Sequence, residues 1–191
     1  MILSSRFNEA LAYAAELHAQ QQRKISGEPY VSHLLGVAAI AIQYGADEDE
    51  AIAALLHDAI EDQGGATARE AIRERFGARV VQIVDGCSDT DITPKPPWRQ
   101  RKEAYIEHLR HATDSMRLVS AADKLHNARA ILQDYRTRGE TLWEHFRGGR
   151  DGTLWYYRSI VDTLKQVKPN LLVAELDRVV LELEHLVAQN A

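Results

Sequence analysis

The stretch AIAALLHDAIED, residues 51–62, decides the fold. Its apolar side chains recur at the spacing of one helix face, at Ile52, Ala53, Leu55, Leu56 and Ile60. Asp47 and Glu50 have the spacing of a capping box, which predicts where this helix begins, and the glycine pair 64–65 predicts where it ends. The predicted helix carries His57 and Asp58 in apolar surroundings, about 100° apart around its axis.

The same helical spacing extends on both sides of this stretch. We predict further helices at residues 5–21, 34–44, 99–110, 153–168 and 170–188. Thr67 and Glu70 predict the capping box of a helix that ends at Gly77, and Asp114 predicts the cap of a long helix. Prolines make residues 89–98 a loop. No sustained apolar–polar alternation indicates a sheet, so we expect an all-α, compact single domain of about nine or ten helices over residues 1–191.

Composition narrows the classes of function. The formal net charge of −5 argues mildly against a broad nucleic-acid interface, which needs a basic surface. A lone cysteine, Cys87, cannot form an internal disulfide, and its apolar neighbours indicate a buried thiol rather than a catalytic one. Neither a signal peptide nor an apolar run of roughly 20 residues is visible. We therefore expect a cytoplasmic protein without nucleic-acid or membrane partners, and the oligomeric state, including a homo-oligomer, is left open.

Imidazole and carboxylate groups occur at three separate apolar helical segments: His33, the pair His57 and Asp58, and Asp123. Each alone has a structural interpretation, because a lone buried histidine is usually hydrogen-bonded in the core, and Asp123 could pair with Arg129 or cap a helix. Burying all four is costly unless something compensates their charge. A divalent cation does so, and this donor set suits Mn²⁺, Fe²⁺ or Zn²⁺. Such a cation lowers the pKa of bound water.

A second acidic pair follows the first. Glu61 lies four residues after His57, and Asp62 lies four after Asp58, so each pair shares a helix face. Carboxylates there could take or deliver a proton during P–O cleavage. The alternative is that both only begin a solvated turn.

Four segments in order resemble the hydrolase domain of the RelA/SpoT-homologue alarmone enzymes, within the HD phosphohydrolase superfamily. They are RKISGEPYVSHLLGVA (23–38), AALLHDAIED (53–62), FGARVVQIVDGCSD (76–89) and ADKLHNAR (122–129). The resemblance spans residues 7–132, and LWYYRSI (154–160) resembles the stand-alone small alarmone hydrolases. It implies an HD-domain helical bundle that removes the 3′-pyrophosphate of (p)ppGpp, a small-molecule nucleotide, to give GDP or GTP.

The resemblance also implies roles for individual residues. Those that match the ligands of one divalent metal ion, usually manganese, are His33, His57, Asp58 and Asp123. Those that match the acidic pair needed for hydrolysis are Glu61 and Asp62. Those assigned to substrate binding are Arg23, Lys24, Ser26, Asn127, Tyr156 and Arg158, of which the last two are placed to close the pocket.

Some features leave alternatives open. Leu34 replaces a common proline, Lys124 stands where arginine is frequent, and Ala128 stands where a larger apolar residue is common. The last two changes leave guanine preference open, so (p)ppApp and the 2′-phosphate of NADPH are alternative substrates. A non-catalytic nucleotide-binding or antitoxin-like module, and an all-α adaptor with a buried polar network, are further alternatives.

Two more clusters have both a functional and a structural interpretation. Basic side chains follow the proline loop at Lys95, Arg99, Arg101 and Lys102, where they could contact phosphates or form a solvated helix face. The aromatic side chains of residues 155–157 could stack on a base or pack in the core.

Overall fold

The computed structural model describes residues 2–88 and 94–190. These residues form ten α-helices and one 3-10 helix, with no β-strand beyond a single isolated bridge between Gln22 and Pro29. The helices are α1 Ser5–Leu17, α2 Val31–Gln43, α3 Glu48–Leu56, α4 Ala59–Gln63, α5 Gly65–Phe76, α6 Ala78–Cys87, α7 Trp98–His111, α8 Asp114–Arg138, the 3-10 helix Gly139–His145, α9 Gly149–Val167 and α10 Leu171–Gln189. The predicted all-α class is confirmed.

The long helix α8 is the centre of the architecture. Its 25 residues pack against α2, α3, α6, α9, α10 and the 3-10 helix. The second centre is α3, in which every residue from Ala51 to Leu56 is buried. Because α2, α3 and α8 pack against one another, polar side chains on their facing sides meet in the interior.

The predicted cap of α3 is confirmed, and that of α8 is shifted by one residue. The backbone N–H of Asp47 donates to Glu50 (2.8 Å), and the N–H of Glu50 donates to Asp47 (3.0 Å), which completes the capping box. The cap of α8 is Thr113, whose hydroxyl accepts from the N–H of Met116. Asp114 is therefore the first helical residue, where its charge favours the helix dipole.

The predicted helix through His57 is wrong in one respect, because it is two helices. The first, α3, ends at Leu56, and α4 begins at Ala59, so His57 and Asp58 lie at the junction. The predicted capping box at Thr67 is also wrong. Positive φ angles at Gly64 (145°) and Gly65 (53°) turn the chain directly from α4 into α5, which leaves Thr67 inside the first turn.

Smaller differences occur at helix ends and in the proline loop. The first helix ends at Leu17 rather than at residue 21, and α2 begins at Val31, three residues earlier than predicted. Of the predicted loop, residues 94–97 precede α7, and residues 89–93 lie outside the described chain. Among the described helices, none is long and apolar enough to cross a membrane.

Candidate metal centre

Three segments meet at the junction of α3 and α4. His33 comes from the first turn of α2, His57 and Asp58 from the junction itself, and Asp123 from the middle of α8. The Nε2 atom of His57 lies 3.1 Å from Oδ2 of Asp58 and 3.6 Å from Oδ1 of Asp123. The Nε2 atom of His33 lies 3.6 Å and 3.3 Å from the same two oxygens. The structure therefore brings together the four side chains that the sequence singled out.

These donors have the arrangement of a cation site. Donor atoms of His33, His57 and Asp58 all lie within 4.8 Å of one another, and Asp123 approaches both imidazoles. Both histidines are almost fully buried, whereas about a quarter of the Asp58 side chain is exposed. The cluster is thus closed on its histidine side and open to solvent on its Asp58 side.

The orientation of His57 supports a metal ligand. Its Nδ1–H donates to the carbonyl oxygen of Ala54, 2.8 Å away, which leaves the Nε2 lone pair facing the carboxylates. This buried Nε2 has no hydrogen-bond partner among the described residues. A buried nitrogen without a partner is costly, and a cation between it and the carboxylates would satisfy it. The donor set therefore fits a divalent metal ion.

His33 is oriented by a residue that the sequence analysis missed. Its Nδ1 lies 2.9 Å from Nδ1 of His126, and the two rings meet edge to face. Burial, together with the nearby His33 and Arg23, lowers the pKa of His126 to about 4, so its neutral ring can accept the His33 proton. His126 lies three residues after Asp123 on α8, so helical periodicity places both on one face.

The two carboxylates at the site are ionised. Burial opposes their ionisation, but the His57 imidazole, when it is protonated, holds the pKa of Asp58 well below its usual range, and Lys124 does the same for Asp123. Asp58 also accepts a hydrogen bond from the Tyr30 hydroxyl at 2.6 Å. Burial and the nearby Asp58 raise the pKa of Tyr30, so it keeps its proton and donates. The surroundings of the site thus fix two anions beside two imidazoles.

Glu61 and Asp62 lie in the first turn of the separate helix α4. Oε1 of Glu61 lies 2.7 Å from the Lys95 ammonium, and Oδ2 of Asp62 accepts from the Gln21 amide at 2.8 Å. Burial, followed by repulsion from Asp58, raises the pKa of Asp62 above its usual value. A raised pKa makes the Asp62 carboxylate a better proton acceptor than an ordinary aspartate.

Arg23, one of the predicted basic residues, is linked to the metal centre through Asn127, which is predicted to contact the sugar. The Arg23 guanidinium donates to Oδ1 of Asn127 at 2.8 Å, and Nδ2 of Asn127 donates to Oδ1 of Asp123 at 2.5 Å. Lys24 and Ser26 are exposed on the turn that follows Arg23. The structure therefore places one side of the predicted nucleotide pocket next to the cation site.

Arg158, which is predicted to help close the pocket, pairs with two carboxylates of α10. Its guanidinium is held by Asp177 (2.7 Å) and Glu184 (2.6 Å), so it joins α9 to α10. Tyr156 is buried, and its ring packs against those of Trp98, Trp155 and Tyr157. The aromatic group is therefore chiefly core packing.

The basic cluster after the proline loop is not a simple solvated face. Arg99 lies over the Trp155 ring, Lys102 lies over Tyr156, and Arg101 is buried. Lys95 contacts the acidic pair through Glu61. Cys87, predicted to be buried, is half-buried, and burial raises the pKa of its thiol.

The sequence is similar to that of known phosphohydrolases. A family model described as HD domain matches residues 10–154. Guanosine-3′,5′-bis(diphosphate) 3′-pyrophosphohydrolase MESH1 of Xenopus tropicalis is 43% identical over 126 residues, which cover 64% of this chain and 68% of that protein. The MESH1 of Drosophila melanogaster is 34% identical over 171 residues, covering 88% and 89% respectively.

The fold is also similar to a solved one. A metazoan ortholog of SpoT, described as hydrolysing ppGpp and playing a role in starvation responses, superimposes with a TM-score of 0.78. The two chains are 31% identical, and the match covers 94% of this chain and 96% of the other.

Proposed function

Because the chain belongs to the HD domain family, we propose that it is a metal-dependent hydrolase of the 3′-pyrophosphate of (p)ppGpp. The observation that carries the proposal is the convergence of His33, His57 and Asp58 with Asp123 at the α3–α4 junction. The similarity to guanosine-3′,5′-bis(diphosphate) 3′-pyrophosphohydrolases supports the substrate. The reaction consumes one water molecule, breaks the bond between the ribose 3′ oxygen and phosphorus, and releases pyrophosphate with GDP or GTP.

We propose Mn²⁺ as the cation, held by His33, His57, Asp58 and Asp123. Two imidazoles with two carboxylates are hard-to-borderline ligands that suit manganese. A bound divalent cation would lower the pKa of a water molecule and neutralise phosphate charge. The Ala54 carbonyl and the Tyr30 hydroxyl orient the ligands His57 and Asp58 for this task.

The acidic pair handles protons in this proposal. Asp62, with its raised pKa, accepts a proton from the attacking water or delivers one to the departing 3′ oxygen. Glu61 lies beside it on α4 and is paired with Lys95.

Basic side chains position the nucleotide. Arg23 and Lys24 stabilise the negative charge that develops on the phosphates during the reaction. Ser26 lies on the same turn, and Asn127 contacts the sugar. Tyr156 contributes to the pocket wall through the aromatic cluster rather than as a mobile lid, which agrees with its burial.

The composition of the chain supports the partner and the cellular compartment that we propose. A nucleotide is the partner, and the net charge of −5 supports neither a nucleic-acid partner nor an anionic membrane surface. A single thiol agrees with a reducing cytoplasm.

The test combines a substrate panel with one ligand variant. Purified protein with Mn²⁺ is given ppGpp, ppApp and NADPH separately, and pyrophosphate and orthophosphate are measured apart. We expect pyrophosphate from ppGpp, and we expect Asp58→Ala to lose both Mn²⁺ binding and turnover while keeping its helical circular dichroism. The exposed Asp151→Ala is the matched control and keeps both.

Three outcomes would contradict parts of the proposal. Orthophosphate from NADPH, or faster turnover of ppApp, would change the substrate. Tight nucleotide binding without turnover in Mn²⁺ would indicate a non-catalytic module. Full activity of Asp58→Ala would remove the metal site from the mechanism.

A further inference from the structure

A polar network that includes the buried His18 joins the end of α1 to the short helix α4. The side chain of His18 is almost fully buried just after α1, and its Nδ1 lies 2.6 Å from Oε1 of Gln21. The Gln63 amide, at the end of α4, donates to the same oxygen at 2.6 Å. The Gln21 amide nitrogen then donates to Oδ2 of Asp62 at 2.8 Å. Two donors on one oxygen fix which way this amide faces.

The state of His18 follows from these contacts. Since Gln21 Oε1 is an acceptor, the Nδ1 of His18 carries the proton. Its Nε2 is buried with no partner among the described residues, and a neutral lone pair is cheaper to leave there than an N–H. The ring also stacks on Tyr30, whose hydroxyl donates to Asp58. His18 therefore lies behind both the Asp62 and the Asp58 carboxylates.

The network matters because α4 is short. A helix of five residues has few internal hydrogen bonds and is not stable alone. Its first turn nevertheless carries Glu61 and Asp62, whose proposed role requires a defined position. The contacts from Gln21 and His18 tie α4 to the end of α1, and they reach the Asp62 carboxylate itself.

We propose that Gln21 is a positioning residue that aims the Asp62 carboxylate at the reacting water or 3′ oxygen, with His18 and Gln63 holding its amide in the required orientation. This inference rests on the proposed function, in which Asp62 moves a proton. Gln21 acts through Asp62, because the hydrogen bonds of its side chain in the described structure join it to His18, Gln63 and Asp62.

The test separates positioning from simple stabilisation by splitting kcat from KM. Gln21→Met keeps the length of the side chain and removes the amide. We expect kcat for ppGpp to fall about 10- to 100-fold, as for the loss of one hydrogen bond to a charged group. The KM for ppGpp and the affinity for Mn²⁺ should stay unchanged, because neither the ligands nor the basic residues are altered. The exposed neighbour Gln20→Met is the matched control and keeps the wild-type kcat.

A second variant covers the case in which Gln21→Met does not fold. Gln63→Met removes one of the two donors to Gln21 and leaves the contact between Gln21 and Asp62 in place, so we expect a smaller fall in kcat at unchanged KM. Wild-type kcat in both variants would overturn the positioning role alone. Parallel losses of Mn²⁺ affinity and melting temperature that account for the whole fall would also overturn it. A wild-type protein that releases no pyrophosphate from ppGpp would overturn the proposed function and the role of Gln21 with it.

Discussion

Gly36→Ala tests whether His126 orients the proposed metal ligand His33. Gly36 lies on α2, three residues after His33, and faces the His126 ring. A Cβ atom at this position would lie 2.2 Å from both Cδ2 and Nε2 of that ring. Ordinary contacts begin near 3.4 Å, so the ring must move by about 1 Å. The hydrogen bond between His126 and His33, 2.9 Å long, does not survive a displacement of that size.

The expected magnitude follows from the role of residues behind a metal ligand. Loss of such a partner typically lowers metal affinity about 10- to 100-fold, or roughly 1.4 to 2.7 kcal/mol. Fold stability should change much less, because alanine is favoured over glycine inside a helix by about 0.8 to 1.0 kcal/mol, which offsets part of the overpacking. Gly36→Ala should therefore bind Mn²⁺ more weakly while the metal-free protein unfolds at nearly the wild-type urea concentration.

Isothermal titration calorimetry with Mn²⁺ measures this effect. Gly86→Ala is the matched control, since its Cβ meets the flexible Met116 side chain instead of a histidine. A double-mutant cycle with His126→Ala tests the route, because Gly36→Ala should cost little more once the ring is gone. Wild-type affinity in Gly36→Ala would refute the reasoning, as would an undiminished loss in the His126→Ala background.

Three further predictions concern stability and the role of Arg158. Asp47→Ala removes the capping box of α3 and should lower the free energy of unfolding by about 1 to 2 kcal/mol in urea titrations. An unchanged unfolding midpoint would show that this cap does not contribute to stability. Arg158→Met should cost about 1 to 2 kcal/mol through lost pairing between α9 and α10, with the KM for ppGpp unchanged; a raised KM would return Arg158 to the pocket. Hydrogen bonding from Arg178 lowers the pKa of Glu175 to about 2, below its unfolded value of about 4.3, so its contribution to stability is present above that value and is lost as the pH falls through the folded pKa. Glu175→Gln should therefore lower the unfolding free energy much more at pH 7 than at pH 2, where the folded carboxyl is about half protonated, and equal losses at both would contradict the assignment.

Two features of the sequence were sufficient to predict the fold class and the meeting of the four proposed metal donors: the apolar periodicity and the cost of burying charge. The apolar spacing of residues 51–62 predicted burial, and α3 is buried from Ala51 to Leu56. The four donors were predicted to meet because burying them separately is costly, and they do meet.

Helix ends were less predictable because they depend on backbone angles that side-chain spacing does not encode. Thr67 and Glu70 have the spacing of a capping box, but the turn at Gly64 and Gly65 makes α5 begin at Gly65, before Thr67. The break at His57 and Asp58 is similar, since the apolar pattern continues from Leu56 to Ile60 without interruption. Only tertiary contacts distinguish one helix from two there.

The sequence did not predict the residues that hydrogen-bond to His33 and Asp62, for a related reason. His126 contacts the His33 imidazole across 93 positions of sequence, and Gln21 contacts the Asp62 carboxylate across 41 positions. Neither has a local pattern that separates it from an ordinary polar residue. The pairing of Arg158 with Asp177 and Glu184 on α10 was also missed, while its suggested part in the pocket stays a prediction.

The two halves of the site are secured by different kinds of interaction. The metal donors lie on α2, α8 and the end of α3, where the surrounding side chains form the apolar core. The acidic pair lies on α4. This helix is held by hydrogen bonds of its residues Asp62 and Gln63 to Gln21, and Glu61 contacts Lys95. Apolar burial resists local opening more than a few polar contacts at the surface do. Binding of the cation and movement of the proton therefore depend on separate parts of the fold, which is why substitutions at Gly36 and at Gln21 should affect metal affinity and kcat separately.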